Sequence, residues 1–252
     1  MGTAFTFRIA GKGDDLQRRK FCRDAMEILH EADSRFSLYK EDSETSQLAQ
    51  GKLAWSDSSQ VQQDIREQCE YWRDRTRGFF DPTSPTGQYD PSGLVKTWAA
   101  RNAGQFLEAN GLHDFTINAG GDVYMSQQLD DAVLSRVGVS NLKPIASSHA
   151  GVNLVLDISG SNFRGVATSG NIERGEHIWR KSTEAEVPIQ VTVVAKDLVT
   201  ADIWATAIYS GGSEAMQLME QVEKPSDVLS ICFMNSGRVV SSIGFTQILG
   251  KV

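Results

Sequence analysis

Residues 189–211 read IQVTVVAKDLVTADIWATAIYSG, and a change of rhythm inside that stretch decides the fold class. Ile189 to Ala195 is a short run of β-branched and apolar residues, the pattern of a buried strand. From Thr200 the apolar residues recur at helical spacing, and Gly211-Gly212 supplies a stop signal. The same mixture continues in both directions. Ser213 starts a further helix, and short strands follow around Val228–Phe233 and Arg238–Val240. Upstream, Val152–Ile158, Val133–Val139 and Phe115–Ile117 read as strands.

The first half is richer in helix. Gly93–Ala109 is helical, with Gly111 as its stop. Ser58-Ser59 opens an amphipathic helix with Val61, Ile65, Cys69 and Trp72 on one face. Asp14-Asp15 caps another, on which Leu16, Ala25, Leu29, Ala32 and Phe36 recur and His30 marks the end. Ala4–Ala10 alternates as a half-buried strand, and Gly78–Gly87 is a turn-rich break. No repeat, low-complexity tract or long linker divides the chain. The expectation is one α+β domain over residues 1–252, with mixed, largely antiparallel sheets flanked by helices.

Composition narrows the function. The 252 residues are 40% apolar and 23% charged, too apolar for disorder and too polar for a membrane protein. A net charge of −7 argues against nucleic-acid binding, which needs clustered Lys and Arg. No run of about 18 apolar residues is present, so no transmembrane segment is expected. No signal peptide is visible, and Cys22, Cys69 and Cys232 are odd in number and far apart. A reduced, cytoplasmic protein is therefore expected.

The P-loop, the zinc-protease helix and the serine-hydrolase elbow are all absent. Asp202 and Thr206 are one helical turn apart, so a carboxylate and a hydroxyl point the same way. Near a helix start such a pair suits Mg²⁺ shared with a pyrophosphate; alternatively Asp202 caps the helix and Thr206 bonds back to a carbonyl. Asn118-Ala119-Gly120-Gly121-Asp122 is either a tight hairpin or a backbone approach to a ligand. Ala167-Thr168-Ser169-Gly170 is either a turn or a loop offering hydroxyl and N–H groups to a phosphate or flavin edge. Lys96 stands alone among apolar residues near a helix start, where it opposes the dipole; it either snorkels or meets a phosphate or carboxylate. His177 lies shortly after Gly170, and histidine is the usual general base.

These segments, in this order, resemble the ApbE-type FAD:protein FMN transferases. The resemblance is carried by Met1-Gly2-Thr3, Asp33 to Tyr39 with Ser43-Glu44, Gly78 to Pro82, Asp90 to Ala99, Asn118 to Asp122, Ala167 to Gly170, and Thr192 to Val194 followed by Ala201 to Ala207. It implies binding of FAD and Mg²⁺, and attack on the flavin-side phosphate by a Ser/Thr hydroxyl of a flavin-acceptor protein. AMP is released, and FMN stays on the acceptor as a phosphoester. By position it makes Asp202 and Thr206 the Mg²⁺ side-chain ligands, with a backbone carbonyl near Gly93. Met1, Ser37, Tyr39, Asp81, Lys96, Asn118, Gly120, Gly121, Asp122, Ser169 and Gly170 are the implied FAD residues. His177, with Asp202, is the implied catalytic group.

The text departs from the family pattern at Thr97, where glycine is usual, and at Ile178-Trp179-Arg180-Lys181-Ser182 after the histidine. The second departure leaves open water as the acceptor, which would make an FAD pyrophosphatase. The plain turn and cap readings of the individual loops leave open a non-catalytic protein that stores or delivers FAD.

Overall fold

The computed structural model describes residues 2–10, 15–84, 86–140, 152–170 and 181–250. In chain order the elements are β1 (Phe5–Ile9), α1 (Asp15–Phe36), α2 (Glu44–Ala49), α3 (Gln60–Arg75), α4 (Ser92–Ala109), β2 (Phe115–Ala119) and β3 (Asp122–Met125). There follow β4 (Arg136–Ser140), β5 (Val152–Asp157), β6 (Gly165–Gly170), β7 (Pro188–Ala195), α5 (Leu198–Val222), β8 (Val228–Met234) and β9 (Val239–Ser241). Seven strands form one sheet in the order β1-β2-β3-β6-β7-β8-β9, while β4 and β5 make a separate ribbon. Every described pairing is antiparallel.

Strand β7 shows why its run of apolar residues is continuous. Val191, Val193 and Ala195 face the larger core, which they share with α4 and α5. Val194 faces the other way, into a smaller core with Val166, Leu156, Leu229, Phe245 and Ile248. A strand covered on both faces has no solvent side to make polar. The helices therefore pack on one face of the sheet, and the β4–β5 ribbon covers the other.

Three local devices place the helices that matter. Gly165 in β6 lets α5 approach so closely that a Cβ there would lie 2.4 Å from Leu198 Cα. Gly104 in α4 does the same for β3, because a Cβ there would lie 2.2 Å from the Tyr124 ring. Glu44 ties α1, α2 and α3 together: Arg35 donates to it at 3.0 Å, and the Ser59 hydroxyl donates at 2.8 Å. The Ser59 N–H also donates to Glu44, fixing the residue that caps α3. Burial alone would raise the Glu44 carboxyl, but Ser59 and Arg35 outweigh it and hold it below its ordinary range.

Several element boundaries differ from the sequence expectation. Helix α5 begins at Leu198 because Asp197 accepts the Thr200 N–H at 3.1 Å, so Asp202 is not the cap and lies in the second turn. Gly212 (φ 61°, ψ −136°) is non-helical and divides α5 into two helical stretches, in line with the stop at Gly211-Gly212 and the new start at Ser213. On α3 the inward position is Gln62, not Val61, because Thr45 of α2 donates to Gln62 Oε1 at 3.3 Å. His30 lies inside α1, which runs on to the buried Phe36. Val133 is outside the strand, since Asp131 folds the chain into a turn by accepting its N–H at 2.7 Å. Residues 167–170 are neither turn nor loop: they pair with Val193 to Gln190 as the body of β6.

Candidate active site

The hairpin between β2 and β3 turns on Gly120 (φ 61°) and Gly121 (φ 99°), a left-handed backbone that residues with a Cβ adopt at a cost. Asn118 closes it by accepting the Gly121 N–H at 3.0 Å. The turn delivers Asp122 to the first position of β3, buried on the helical side of the sheet. There its Oδ1 accepts the Thr168 N–H at 3.0 Å, and its Oδ2 pairs with the ammonium of Lys96 from α4.

Asp202 enters the same space from α5. Its Oδ2 lies 3.5 Å from Lys96 Nζ and accepts a hydrogen bond from the Thr97 hydroxyl at 3.1 Å. Burial pushes the Asp202 carboxyl up to about 6; Lys96 and Thr97 pull it down, and the charge of Asp122 pushes it further up. Among the described residues two buried carboxylates thus share one ammonium, which leaves an excess negative charge. One turn along, the half-buried Thr206 hydroxyl stands 3.4 Å from the hydroxyl of Ser169 on β6.

Lys96, Asp122, Asp202, Thr206 and Ser169 are therefore brought together where α4, α5, β3 and β6 meet. Gly93 lies exposed in the first turn of α4, with the Phe80 ring 3.2 Å from where a Cβ would stand. Gly170 ends β6 opposite Gln190. The contacts of Asp81 are elsewhere: Lys181 at 3.3 Å, Arg73 at 3.7 Å and the Thr83 N–H at 3.0 Å. Ser37 is a buried turn residue, whose hydroxyl accepts the Tyr39 N–H at 3.3 Å and whose carbonyl accepts Ser43 and Ser46. Tyr39 itself is 91% exposed. Met1 and His177 lie outside the described residues.

Nothing local in the sequence shows that Thr97 touches Asp202, because the contact joins two helices 105 positions apart. Its signals are a hydroxyl in an apolar helical run and the departure from the family's usual glycine. The hydroxyl pair Thr168–Thr192, 2.9 Å apart across β6 and β7, was likewise unforeseen.

The sequence profile described as the ApbE family matches residues 1–86 and 84–229. The chain belongs to the ApbE family. Among curated proteins none matches it. The flavin transferase ApbE from Vibrio cholerae superposes with a TM-score of 0.76 at 19% identity, covering 99% of this chain and 96% of that one. The ApbE protein from Thermotoga maritima gives a TM-score of 0.76 at 17% identity, covering 99% of both chains. The apo form of the flavinyl transferase ApbE from Pseudomonas stutzeri gives 0.72 at 16%, covering 99% and 97%. At these identities the likeness establishes the ApbE fold over nearly the whole length. No helix among the described residues is long and apolar enough to cross a membrane.

Proposed function

We propose that the protein transfers the FMN moiety of FAD to a Ser/Thr hydroxyl of an acceptor protein, releases AMP, and requires Mg²⁺. The single observation that carries this reading is the buried cluster around Asp202, whose two carboxylates and one ammonium leave negative charge uncompensated. A divalent cation relieves that charge. The Asp202 carboxylate and the Thr206 hydroxyl are hard oxygen donors on one face of α5, which fits Mg²⁺. Among the described residues no group of three or more His, Cys, Asp or Glu could hold a metal ion. The remaining ligands would therefore come from substrate phosphates, backbone and water, as Mg²⁺ sites commonly allow.

The reaction breaks the bond between the bridging oxygen of the diphosphate and the FMN phosphorus, and it forms a bond from the acceptor oxygen to that phosphorus. AMP leaves with the bridging oxygen, and the acceptor proton goes to a base, for which the family resemblance offers His177. Mg²⁺, when bound, neutralises phosphate charge and polarises the bond that breaks. The chain's own residues position the parts. Asp202 and Thr206 would grip the cation, while Lys96, held by Asp122, partly offsets the Asp202 charge beside it. Ser169 and the Gly120-Gly121 turn offer hydroxyl and backbone at its edge. Tyr39, whose ring is in solvent, is the residue the family resemblance offers to cover the flavin.

Incubation with FAD, Mg²⁺ and a flavin-acceptor domain tests the reading, followed by denaturing electrophoresis for covalent flavin fluorescence and by assay of AMP. Fluorescent acceptor and equimolar AMP are expected, with both lost in EDTA. AMP without an acceptor would make the protein an FAD pyrophosphatase. FAD binding without any AMP would make it a storage protein.

A further inference from the structure

Thr97 is the fully buried member of the cluster that the chemistry above leaves without a task. Its hydroxyl has one proton and two acceptors within reach, Asp202 Oδ2 at 3.1 Å and its own helix's Leu94 carbonyl at 3.3 Å. The carboxylate is the stronger acceptor, because a hydrogen bond to an ionised group is roughly twice as strong as a neutral one. The Leu94 carbonyl already belongs to the α4 ladder and gains little from a second donor. With Thr97 fully buried, water does not compete. Lys96 approaches the same oxygen, and among the described residues no side chain donates a hydrogen bond to Oδ1. The two oxygens of Asp202 therefore differ: one is fastened to α4, and the other is not.

We infer that Thr97 is a positioning residue, whose hydroxyl holds Oδ2 of Asp202 against α4 so that the other carboxylate oxygen stays turned to the nucleotide and its divalent cation. This inference rests on the function proposed above. Without the hydroxyl the carboxylate can rotate toward Lys96, and the cation must pay to turn it back. The hydroxyl acts on affinity for the cation and not on the flavin contacts themselves.

The test is a Mg²⁺ titration of FAD binding, read by flavin fluorescence, on the wild-type protein, Thr97→Val and Thr97→Ser. Valine keeps the volume and branching but removes the donor; serine restores the donor without the methyl. The Mg²⁺ concentration for half-maximal binding should rise about tenfold in the valine variant, the loss expected for one charge-assisted hydrogen bond. It should return to within about threefold of wild type with serine, while FAD binding in EDTA stays the same in all three. A valine variant that titrates like wild type overturns the inference. So does a serine variant as weak as valine, or an equal loss in EDTA, since either would mean packing and not orientation. If valine prevents folding, Thr97→Ala takes its place in the comparison with serine. Wild-type FAD binding that ignores Mg²⁺ removes the metal reading itself; Mg²⁺-dependent wild type with an unchanged valine variant removes only the role of Thr97.

Discussion

The ammonium of Lys96 stands 3.5 Å from Oδ2 of Asp202 while it is paired with Oδ2 of Asp122, so one buried cation serves two carboxylates. That arrangement is costly for a protein at rest. Taking charges out of water is repaid only when each is well paired, and here the pairing is incomplete. The cost is concentrated where α4, α5 and β3 converge, which is where a nucleotide and its counter-ion would restore the balance.

Removing the ammonium should expose this. Lys96→Met leaves two carboxylates buried without a cation, and it should lower stability at pH 7 by about 3 kcal/mol or more, the usual cost of orphaning a buried charge. At pH 5 the loss should shrink, because Asp202 can then take up a proton. Urea denaturation at both pH values checks this; an equal loss at the two would mean that charge is not the cause.

Neutralising Asp202 should have the opposite effect on stability. Its carboxyl is raised from 3.8 to about 6 in the folded state, so between those values the folded protein binds the proton better than the unfolded chain. Stability is therefore lost as pH rises through that window, and above it the penalty is constant at about 3 kcal/mol at most, from roughly 1.4 kcal/mol per unit. Asp202→Asn in metal-free buffer at pH 8 should thus be as stable as wild type or more so, yet inactive in Mg²⁺-dependent flavin transfer. A large loss of stability in this variant would contradict the account of the cluster.

On the proposed function a cation and a proton compete for the Asp202 carboxylate, which fixes the direction of a pH effect on binding. Mg²⁺ would need ionised Asp202, and below pH 6 the ionised fraction falls about tenfold per unit. Mg²⁺-dependent FAD binding should weaken steadily from pH 7 to pH 5, with protons released on binding near pH 6. Calorimetry in two buffers of different ionisation enthalpy measures that release. Binding flat across the range would place the cation elsewhere.

Much of this architecture was legible in advance, for identifiable reasons. Strand β7 and helix α5 were readable because hydrophobic rhythm is a local property, and the Asp202–Thr206 pair because helical spacing puts i and i+4 on one face. The Lys96 anomaly left snorkelling and a phosphate or carboxylate partner both open; the carboxylates it meets, Asp122 and Asp202, come from elements far apart in sequence. Glycine and small-residue stretches were the weak point. Gly120-Gly121 is a hairpin, as one of its two readings had it. Ala167 to Gly170, read as turn or loop, is a strand, because β7 pairs along its whole length and the Asp122 carboxylate accepts the Thr168 N–H, satisfying a backbone that its own side chains do not specify. Helix α5 starts before Thr200 because Asp197, just upstream, caps it by accepting the Thr200 N–H.

Gly165 offers the sharpest test of how the scaffold sets the site. A Cβ at this position would lie 2.4 Å from Leu198 Cα, 2.7 Å from Leu198 N and 2.9 Å from Asp197 C, all of them backbone atoms of the α5 start. No rotamer change relieves such a contact; the helix itself must move. Helix α5 carries Asp202 and Thr206, and β6 carries Ser169, whose hydroxyl stands 3.4 Å from that of Thr206. Gly165→Ala should therefore cost about 1–3 kcal/mol, the range for overpacking a tight core, and should also pull the Asp202–Thr206 face of α5 away from β6. Mg²⁺-dependent FAD binding at a temperature where the variant is fully folded separates the two effects, and a loss of tenfold or more is expected there. A folded Gly165→Ala protein that binds Mg²⁺ and FAD as wild type does would show that the spacing between α5 and β6 does not govern the site.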